Sequence, residues 1–340
     1  LIARDRVGIK PLYYYDGDCF AFASEAKAML AADMIDTPTM NISAVTQLLE
    51  VGYLLSPTSM FNEIRQLPLA SFLKRSDTCS QTRMYWEPPN CGDETPPIEV
   101  IRKTVRDAVV RQTETSDVPV AAFLSGGLDT STIVAFASGV RPEPLRTFCM
   151  GFGEPTDEFE DARVVAEAFG TDHHELMIDA SQAMELFPRM IWHSEMPKVN
   201  LYSWFVDEAS SKFGKVCLSG LGGDELFCGY PNTSRFRKAR QVALLRKVSP
   251  FRKLAVAASA IPVGRAKYLR ALANEHLAYS AIVTGFPPTE FHPEIANHVR
   301  GYFHGKDDFV QKMVRCEFRT KLPYDYLLVE DAMSMAHTLE

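Results

Sequence analysis

The chain has 340 residues, 46% of them hydrophobic and 23% charged, and a net charge of −7. That length suits about two domains of roughly 100–200 residues each, and the composition is that of a folded globular protein, not a disordered one. The acidic balance argues against a nucleic-acid partner, and seven cysteines without a CxxC pair indicate neither a zinc site nor a disulfide framework, which fits a cytoplasmic location.

Leu1-Ile2-Ala3 reads as a buried strand already under way, with no basic and apolar start of the kind a signal peptide has. Leu12-Tyr13-Tyr14-Tyr15, the turn Asp16-Gly17-Asp18 and Phe20-Ala21-Phe22-Ala23 predict a hairpin whose tyrosines pack the sheet. A helix is expected around Ala44 to Glu50, and more strand around Phe72 and from Arg83 to Trp86. Residues 88–97 carry four prolines among polar residues and read as a linker.

Beyond the linker the pattern changes. A helix over Ile98 to Thr113 leads to Val118 to Leu124, a strand apolar enough for burial on both faces. Helix Thr130 to Ser138, strand Arg146 to Met150, helix Glu160 to Phe169 and strand His174 to Ile178 follow. Helices Ala183 to Trp192 and Ser203 to Phe213 then lead to strand Lys215 to Leu218. Strands alternating with helices predict an α/β fold with a parallel, doubly wound sheet, whose ligands sit at the carboxyl ends of the strands. From Phe236 on the pattern is helical, and Pro231 to Asn274 holds eleven Lys/Arg and no acid. Solvated helix faces explain such a run, as does a positive wall for an anionic ligand. The longest apolar stretch, Leu254 to Gly264, is too short to span a membrane. The chain ends within a helical pattern at Met333 to Glu340, so an internal piece of a longer protein is expected.

Chemistry concentrates at two strand ends. Ser125-Gly126-Gly127-Leu128-Asp129-Thr130-Ser131 lies between a buried strand and a helix. Its glycines let backbone N–H groups close on an anion, the helix start adds partial positive charge, and its hydroxyls add donors. Asp129 is placed where a divalent metal can bridge a carboxylate to phosphate oxygens. No Lys follows the second Gly, so this is not a Walker A loop. Ser219-Gly220-Leu221-Gly222-Gly223-Asp224-Glu225 repeats the arrangement after another strand. One polyphosphate held by both loops, with Asp129 and Asp224 sharing Mg²⁺, is an expectation that spacing alone does not prove.

The first loop resembles the SGGxDS pyrophosphate loop of the N-type ATP pyrophosphatases. Four further segments make the chain similar to the asparagine synthetase family: Phe148-Cys149-Met150-Gly151-Phe152, Gly170-Thr171-Asp172-His173-His174-Glu175, Ser219 to Tyr230 and Asp331 to Glu340. Arg4 to Tyr13 and Phe22 to Ala28 resemble the late part of that family's glutaminase domain. The resemblance covers essentially the whole chain in order. It implies the C-terminal part of an α+β Ntn glutaminase domain over 1–87, a linker over 88–97 and a PP-loop (adenine nucleotide alpha hydrolase-like) ATP pyrophosphatase domain over 98–340, cut at its C-terminus.

The implied reaction uses ATP and Mg²⁺ to activate aspartate or another carboxylate as an acyl-adenylate, which ammonia from glutamine then amidates. By position the resemblance assigns Leu124, Met150, Ser219 and Gly220 to adenosine and Ser125, Gly126, Gly127, Leu128, Asp129, Thr130 and Ser131 to pyrophosphate. Asp129 and Asp224 become the metal-associated, catalytic acids, and a homodimer is compatible with the family. No membrane partner is implied. Three departures bear on the acceptor: Leu221 stands where the family carries Asp or Glu, Ser194-Glu195-Met196-Pro197 replaces DEP, and Ala332 replaces an arginine. A Leu cannot pair with an α-ammonium group; Glu195 or Glu225 is the candidate for a compensating carboxylate. The glutaminase cysteine and a catalytic lysine are expected outside the chain. His173-His174, His193 and His337 read as structural, because consecutive strand residues point to opposite faces. A non-catalytic nucleotide-binding relative is the alternative from another class, and a tRNA-modifying PP-loop enzyme is disfavoured by residues 1–87 and by the acidity.

Overall fold

A computed structural model describes residues 1–76, 79–89, 96–198, 200–230, 275, 276, 279, 293–305 and 307–340. The basic run with its expected helices, the apolar stretch Leu254 to Gly264 and the middle of the expected linker lie outside the described residues. Two compact units emerge, Leu1–Cys91 with Gly222–Tyr326, and Gly92–Leu221 with Leu327–Glu340. The grouping differs from the sequence reading in where it puts residues 222–326. The physical reason is packing of late residues on early ones: Val51 lies against the core of Tyr279, Ile295, Phe303 and Met313, and Tyr324 packs with Tyr53, Leu55 and Leu69.

The first unit holds two antiparallel three-stranded sheets. One has the order β1 (Ile2–Ala3), β5 (Ser71–Arg75), β6 (Ser80–Met84); the other is β3 (Phe20–Ala23), β2 (Tyr13–Asp16), β4 (Ile64–Gln66). The expected hairpin is present, with Tyr13 opposite Ala23 and Asp16 opposite Phe20. Its tyrosines serve both faces, as strand alternation requires. Tyr13 joins Ala26, Met29 and Ile64, whereas Tyr14 joins Leu67 and Leu73. Two helices follow the hairpin, α1 (Ala26–Ala31), which the sequence reading did not anticipate, and α2 (Ile42–Val51), capped by the Asn41 side chain.

The loop after β1 is organised by two adjacent charges. Asp5 accepts from the amides of Val7, Gly8, Ile9 and Lys10 at 2.7–3.1 Å. Arg4, only 2% exposed, donates to the carbonyls of Lys10, Leu67 and Gly8 at 3.0, 3.0 and 3.1 Å.

The second unit opens with α3 (Ile98–Thr115) and builds a four-stranded, all-parallel sheet of order β10 (Val216–Leu218), β7 (Val120–Phe123), β8 (Arg146–Gly151), β9 (Asp172–Met177). Burial on both faces of β7 is borne out: Val120 and Ala122 enter one core, and Ala121 and Phe123 the other. Helices α4 (Leu128–Ala137), α5 (Phe159–Phe169), α6 (Ala180–Ser194) and α7 (Ser203–Ser211) connect the strands. A short α8 (Gly223–Phe227), α9 (Pro293–Tyr302), α10 (Phe309–Arg319) and a π-helical turn over Leu322–Leu327 precede α11 (Leu328–Ala336). After α11, Glu340 exchanges hydrogen bonds with Cys217 N and Lys215 O, both at 2.8 Å, along β10. Among the described residues no helix is long and apolar enough to cross a membrane.

Candidate nucleotide site

Strand order decides where a ligand belongs on this sheet. From β7 the chain adds β8 and β9 on one side, then returns to place β10 on the other. The direction of winding therefore reverses between β7 and β10, and ligands of open parallel sheets bind at that reversal, outside the strands' carboxyl ends. Both glycine-rich loops leave the sheet there. Leu218 pairs with Ala122, so Ser219 to Leu221 and Ser125 to Asp129 emerge side by side.

The loops touch. A Cβ on Gly220 would lie 2.9 Å from Thr130 Cγ2 and 3.4 Å from Asp129 Cβ, so the strand end approaches the helix start as closely as a glycine allows. Gly126 has φ +80°, and its own Cβ would lie 2.5 Å from the Asp161 carbonyl carbon in the first turn of α5. Within the loop, Thr130 Oγ1 lies 3.1 Å from Ser125 Oγ and accepts from Ser125 N at 3.2 Å, and Gly127 N donates to Ser125 Oγ at 3.3 Å.

A phosphate group fits what remains. The first turn of α4 has no side-chain cap, which leaves its N–H groups directed out of the helix. Ser131 Oγ is buried with no partner among the described residues, a hydroxyl that a phosphate oxygen would satisfy. Asp129 lies in the same first turn, where an acid and a divalent cation together balance charge.

The remaining expected residues are placed as follows. Leu124 has its side chain in the core, so main chain is what it offers a ligand. Met150 is half-buried near the end of β8, one strand away, and Ser219 Oγ accepts from Leu221 N at 3.3 Å. Leu128 in the loop is 83% exposed, and Leu221 is 40% exposed. These residues, from Leu124 to Leu221, all belong to the second unit.

Asp224 belongs to the first unit, at the start of α8 behind Gly222 (φ +96°). Its neighbour Glu225 is buried and accepts from the Tyr230 hydroxyl at 2.5 Å, so that carboxylate already has a local task. Burial and Glu225 together push the Tyr230 phenol far above its ordinary pKa. Lys321 sits over the rings of Tyr230 and Tyr326 at 4.8 and 5.1 Å. Burial, reinforced by the Glu225 charge and opposed by Lys321, pushes the Glu317 carboxyl up to about 7.

One organising residue escaped the sequence reading. Asp157 accepts from the amides of Phe152, Gly153 and Glu154 at 3.1, 2.7 and 3.2 Å and so holds the turn after β8. An acid a few residues past a Gly-Phe-Gly turn is the signal that would have found it. The histidines that the sequence reading singled out each meet a neighbouring side chain. His173 Nδ1 lies 2.9 Å from Thr147 Oγ1, His174 stacks on Phe148 at 5.1 Å, and His193 and His337 pack on Trp204. Among the described residues no group of three His, Cys, Asp or Glu is arranged to hold a metal.

The parallel sheet, its reversal point and its uncapped glycine loop define a doubly wound α/β domain with its candidate ligand site at the reversal. The chain belongs to the asparagine synthase family, which it matches over residues 100–340, while residues 1–86 match the glutamine amidotransferase domain family. It is 36% identical over 312 residues to the putative asparagine synthetase (glutamine-hydrolyzing) 2 of Methanocaldococcus jannaschii, covering 86% of this chain and 58% of that protein. Asparagine synthetase (glutamine-hydrolyzing) 1 of Bacillus subtilis is 28% identical over 366 residues, covering 99% of this chain and 56% of that protein. The amidase chyE of Penicillium rubens is 27% identical over 259 residues, covering 68% of this chain and 38% of that protein. The chain thus spans a little over half the length of the two synthetases.

Proposed function

We propose that the protein is a glutamine-dependent amide ligase of the asparagine synthetase type, acting in the cytoplasm. Residues 1–87 form the C-terminal part of its Ntn glutaminase domain, 88–97 the linker, and 98–340 the ATP domain. The observation that carries this reading is the meeting of the Ser125–Ser131 and Ser219–Leu221 loops at the reversal point of the parallel sheet.

The chain's residues divide the work by chemistry. Amides of the first turn of α4, with the Ser125, Thr130 and Ser131 hydroxyls, hold the pyrophosphate end of ATP, while Leu124, Met150, Ser219 and Gly220 line the adenosine end. The acceptor carboxylate attacks the α-phosphorus, the bond to pyrophosphate breaks, and the fixed N–H donors stabilise the charge that develops on the departing oxygens. Ammonia released from glutamine then displaces AMP from the acyl-adenylate and leaves an amide. Mg²⁺, when bound, neutralises phosphate charge, with Asp129 as the acid of the loop that would hold it and Asp224 the second acid the resemblance assigns.

Pyrophosphate release from Mg-ATP with ammonia and aspartate tests the reading. Asp129→Asn is expected to lower that rate by about 100-fold or more, the scale of removing one group that stabilises developing charge. Unchanged release would show that Asp129 has no part in the reaction, and no release from the wild type would point to a non-catalytic nucleotide-binding protein.

A second acceptor reading rests on Leu221, whose exposed apolar side chain follows Gly220 where the family carries an acid. An acid there pairs with the α-ammonium of an amino-acid substrate; a Leu suits a carboxylate without that cation. Leu221→Asp is expected to raise aspartate-dependent release about tenfold. If the wild type already prefers aspartate over a panel of simple acids and the variant gains nothing, the second reading fails.

A further inference from the structure

The chain between β8 and α5 is exposed from Phe152 to Thr156, yet it joins the two parts of the sheet end assigned to the nucleotide. Asp157, half-buried, closes this stretch. Its Oδ1 accepts from Phe152 N at 3.1 Å, and its Oδ2 accepts from Gly153 N and Glu154 N at 2.7 and 3.2 Å. Its own N–H donates to Glu154 O at 3.0 Å. A carboxylate holds such amides more firmly than a neutral oxygen does.

The same side chain is pressed against the strand. A Cβ on the buried Gly151, the last residue of β8, would lie 2.5 Å from Asp157 Oδ2 and 2.6 Å from Phe159 Cε2, on the first residue of α5. Met150, assigned to adenosine, directly precedes Gly151. Asp157 also lies two residues before α5, whose N-cap Glu158 makes no side-chain cap bond. The start of α5 is therefore held by what flanks it: Phe159 packed on the core of Leu124, Cys149 and Ala162, and the Asp157 turn before it. On that first turn rests Gly126, whose Cβ would lie 2.5 Å from the Asp161 carbonyl carbon and 2.8 Å from Ala162 N. Every residue in this series of contacts belongs to the second unit.

We propose that Asp157 is a positioning residue for ATP, which sets the distance between the adenosine end of the site at Met150 and the pyrophosphate end at Gly126. This role rests on the reading of the two ends as one nucleotide site, and it supplies the part that keeps them in register. Without the carboxylate, the amides of Phe152, Gly153 and Glu154 turn to water, the turn moves off Gly151, and the start of α5 is released on one side. Each end keeps its own residues. What is lost is their spacing, which only a ligand that engages both ends at once can sense.

Calorimetric titration of the full chain with Mg-ATP, adenosine and Mg-pyrophosphate separates spacing from the two ends. Asp157→Ala is expected to weaken Mg-ATP binding about 100-fold, the scale of a displacement of about 1 Å in a fitted site. Adenosine and pyrophosphate, which each engage one end, should change less than about threefold. Asp157→Asn keeps one carbonyl oxygen for the amides, so its loss for Mg-ATP should be about tenfold with the same pattern. That variant carries the comparison if Asp157→Ala does not fold. Mg-ATP affinity unchanged in these variants overturns the proposal. An equal loss for all three ligands overturns it too, because it marks damage to each end and not to their spacing. A wild type that binds none of the three overturns the nucleotide reading itself, and the role of Asp157 with it.

Discussion

Arg4→Ala is expected to lower the stability of the protein by about 3–5 kcal/mol, a fall of roughly 10 °C in the unfolding midpoint. The guanidinium is buried and donates to three carbonyls, two in its own loop and one, Leu67, 63 residues away; it also lies 5.7 Å over the Tyr324 ring. Truncation leaves those carbonyls without donors and opens a cavity between the loop and Leu67, and each unsatisfied buried group costs about 1–3 kcal/mol. Arg4→Lys should recover little, because an ammonium on a flexible stem cannot reproduce the planar fork that meets three acceptors in different directions. Urea titration of both variants decides the matter. A loss under about 1 kcal/mol for Arg4→Ala would show that the carbonyls find other donors.

The residues that were legible in sequence share a physical reason. β7 is buried on both faces, so four consecutive apolar positions marked it; the β2–β3 hairpin is a pair of aromatic runs around a Gly turn. The Ser125–Ser131 loop stood out because a second glycine loop with an acid follows another strand; a bare Gly-Gly turn before a helix is common and would not have marked it. Shorter or non-local features were not. β4 is three residues long, too short to show alternation, and α1 is six residues without a cap box. The strand order β10-β7-β8-β9 depends on which strands pair, and the alternation of strands and helices along the chain is the same for several orders. That order is nevertheless what brings Gly220 against Thr130, so the strongest support for the site came from topology, with the motifs as its precondition.

Charged residues in the core were the least legible. Arg4 sits in a polar loop and Asp207 in the ordinary helical run Ser203-Trp204-Phe205-Val206-Asp207-Glu208, where an acid reads as the solvent face. Nothing local distinguishes Asp207 from the half-buried Glu208 beside it; the apolar cluster that Trp204 and Phe205 of the same helix join comes partly from α11, more than 120 residues later in sequence. The same non-locality explains the grouping of residues 222–326 with the first unit, because Val51, Tyr53 and Leu55 carry no mark of their distant partners.

Gly126→Ala is expected to weaken ATP binding by about 100-fold while Gly127→Ala changes it by a few-fold, although both glycines lie in the same motif. Gly126 has φ +80°, a left-handed conformation that costs an L-residue about 1 kcal/mol or more. Its added Cβ would meet main chain, the Asp161 carbonyl carbon at 2.5 Å and Ala162 N at 2.8 Å, and main chain in the first turn of α5 cannot rotate aside. Either the loop moves off α5 or α5 shifts, and each displaces Ser125 and the first turn of α4 from the phosphate position. Gly127 has φ −63°, and a Cβ there would meet only Ser125 Oγ at 3.2 Å, a hydroxyl that turns away at small cost. Calorimetric titration with Mg-ATP reads the difference directly, and circular dichroism confirms that both variants remain folded. Equal losses in the two variants would mean that both glycines serve the close approach of backbone to phosphate; a marked loss confined to Gly126 means that the loop is shaped by its seat on α5. The second outcome follows from the geometry, since the site's amides can converge on a phosphate only while that seat fixes the turn.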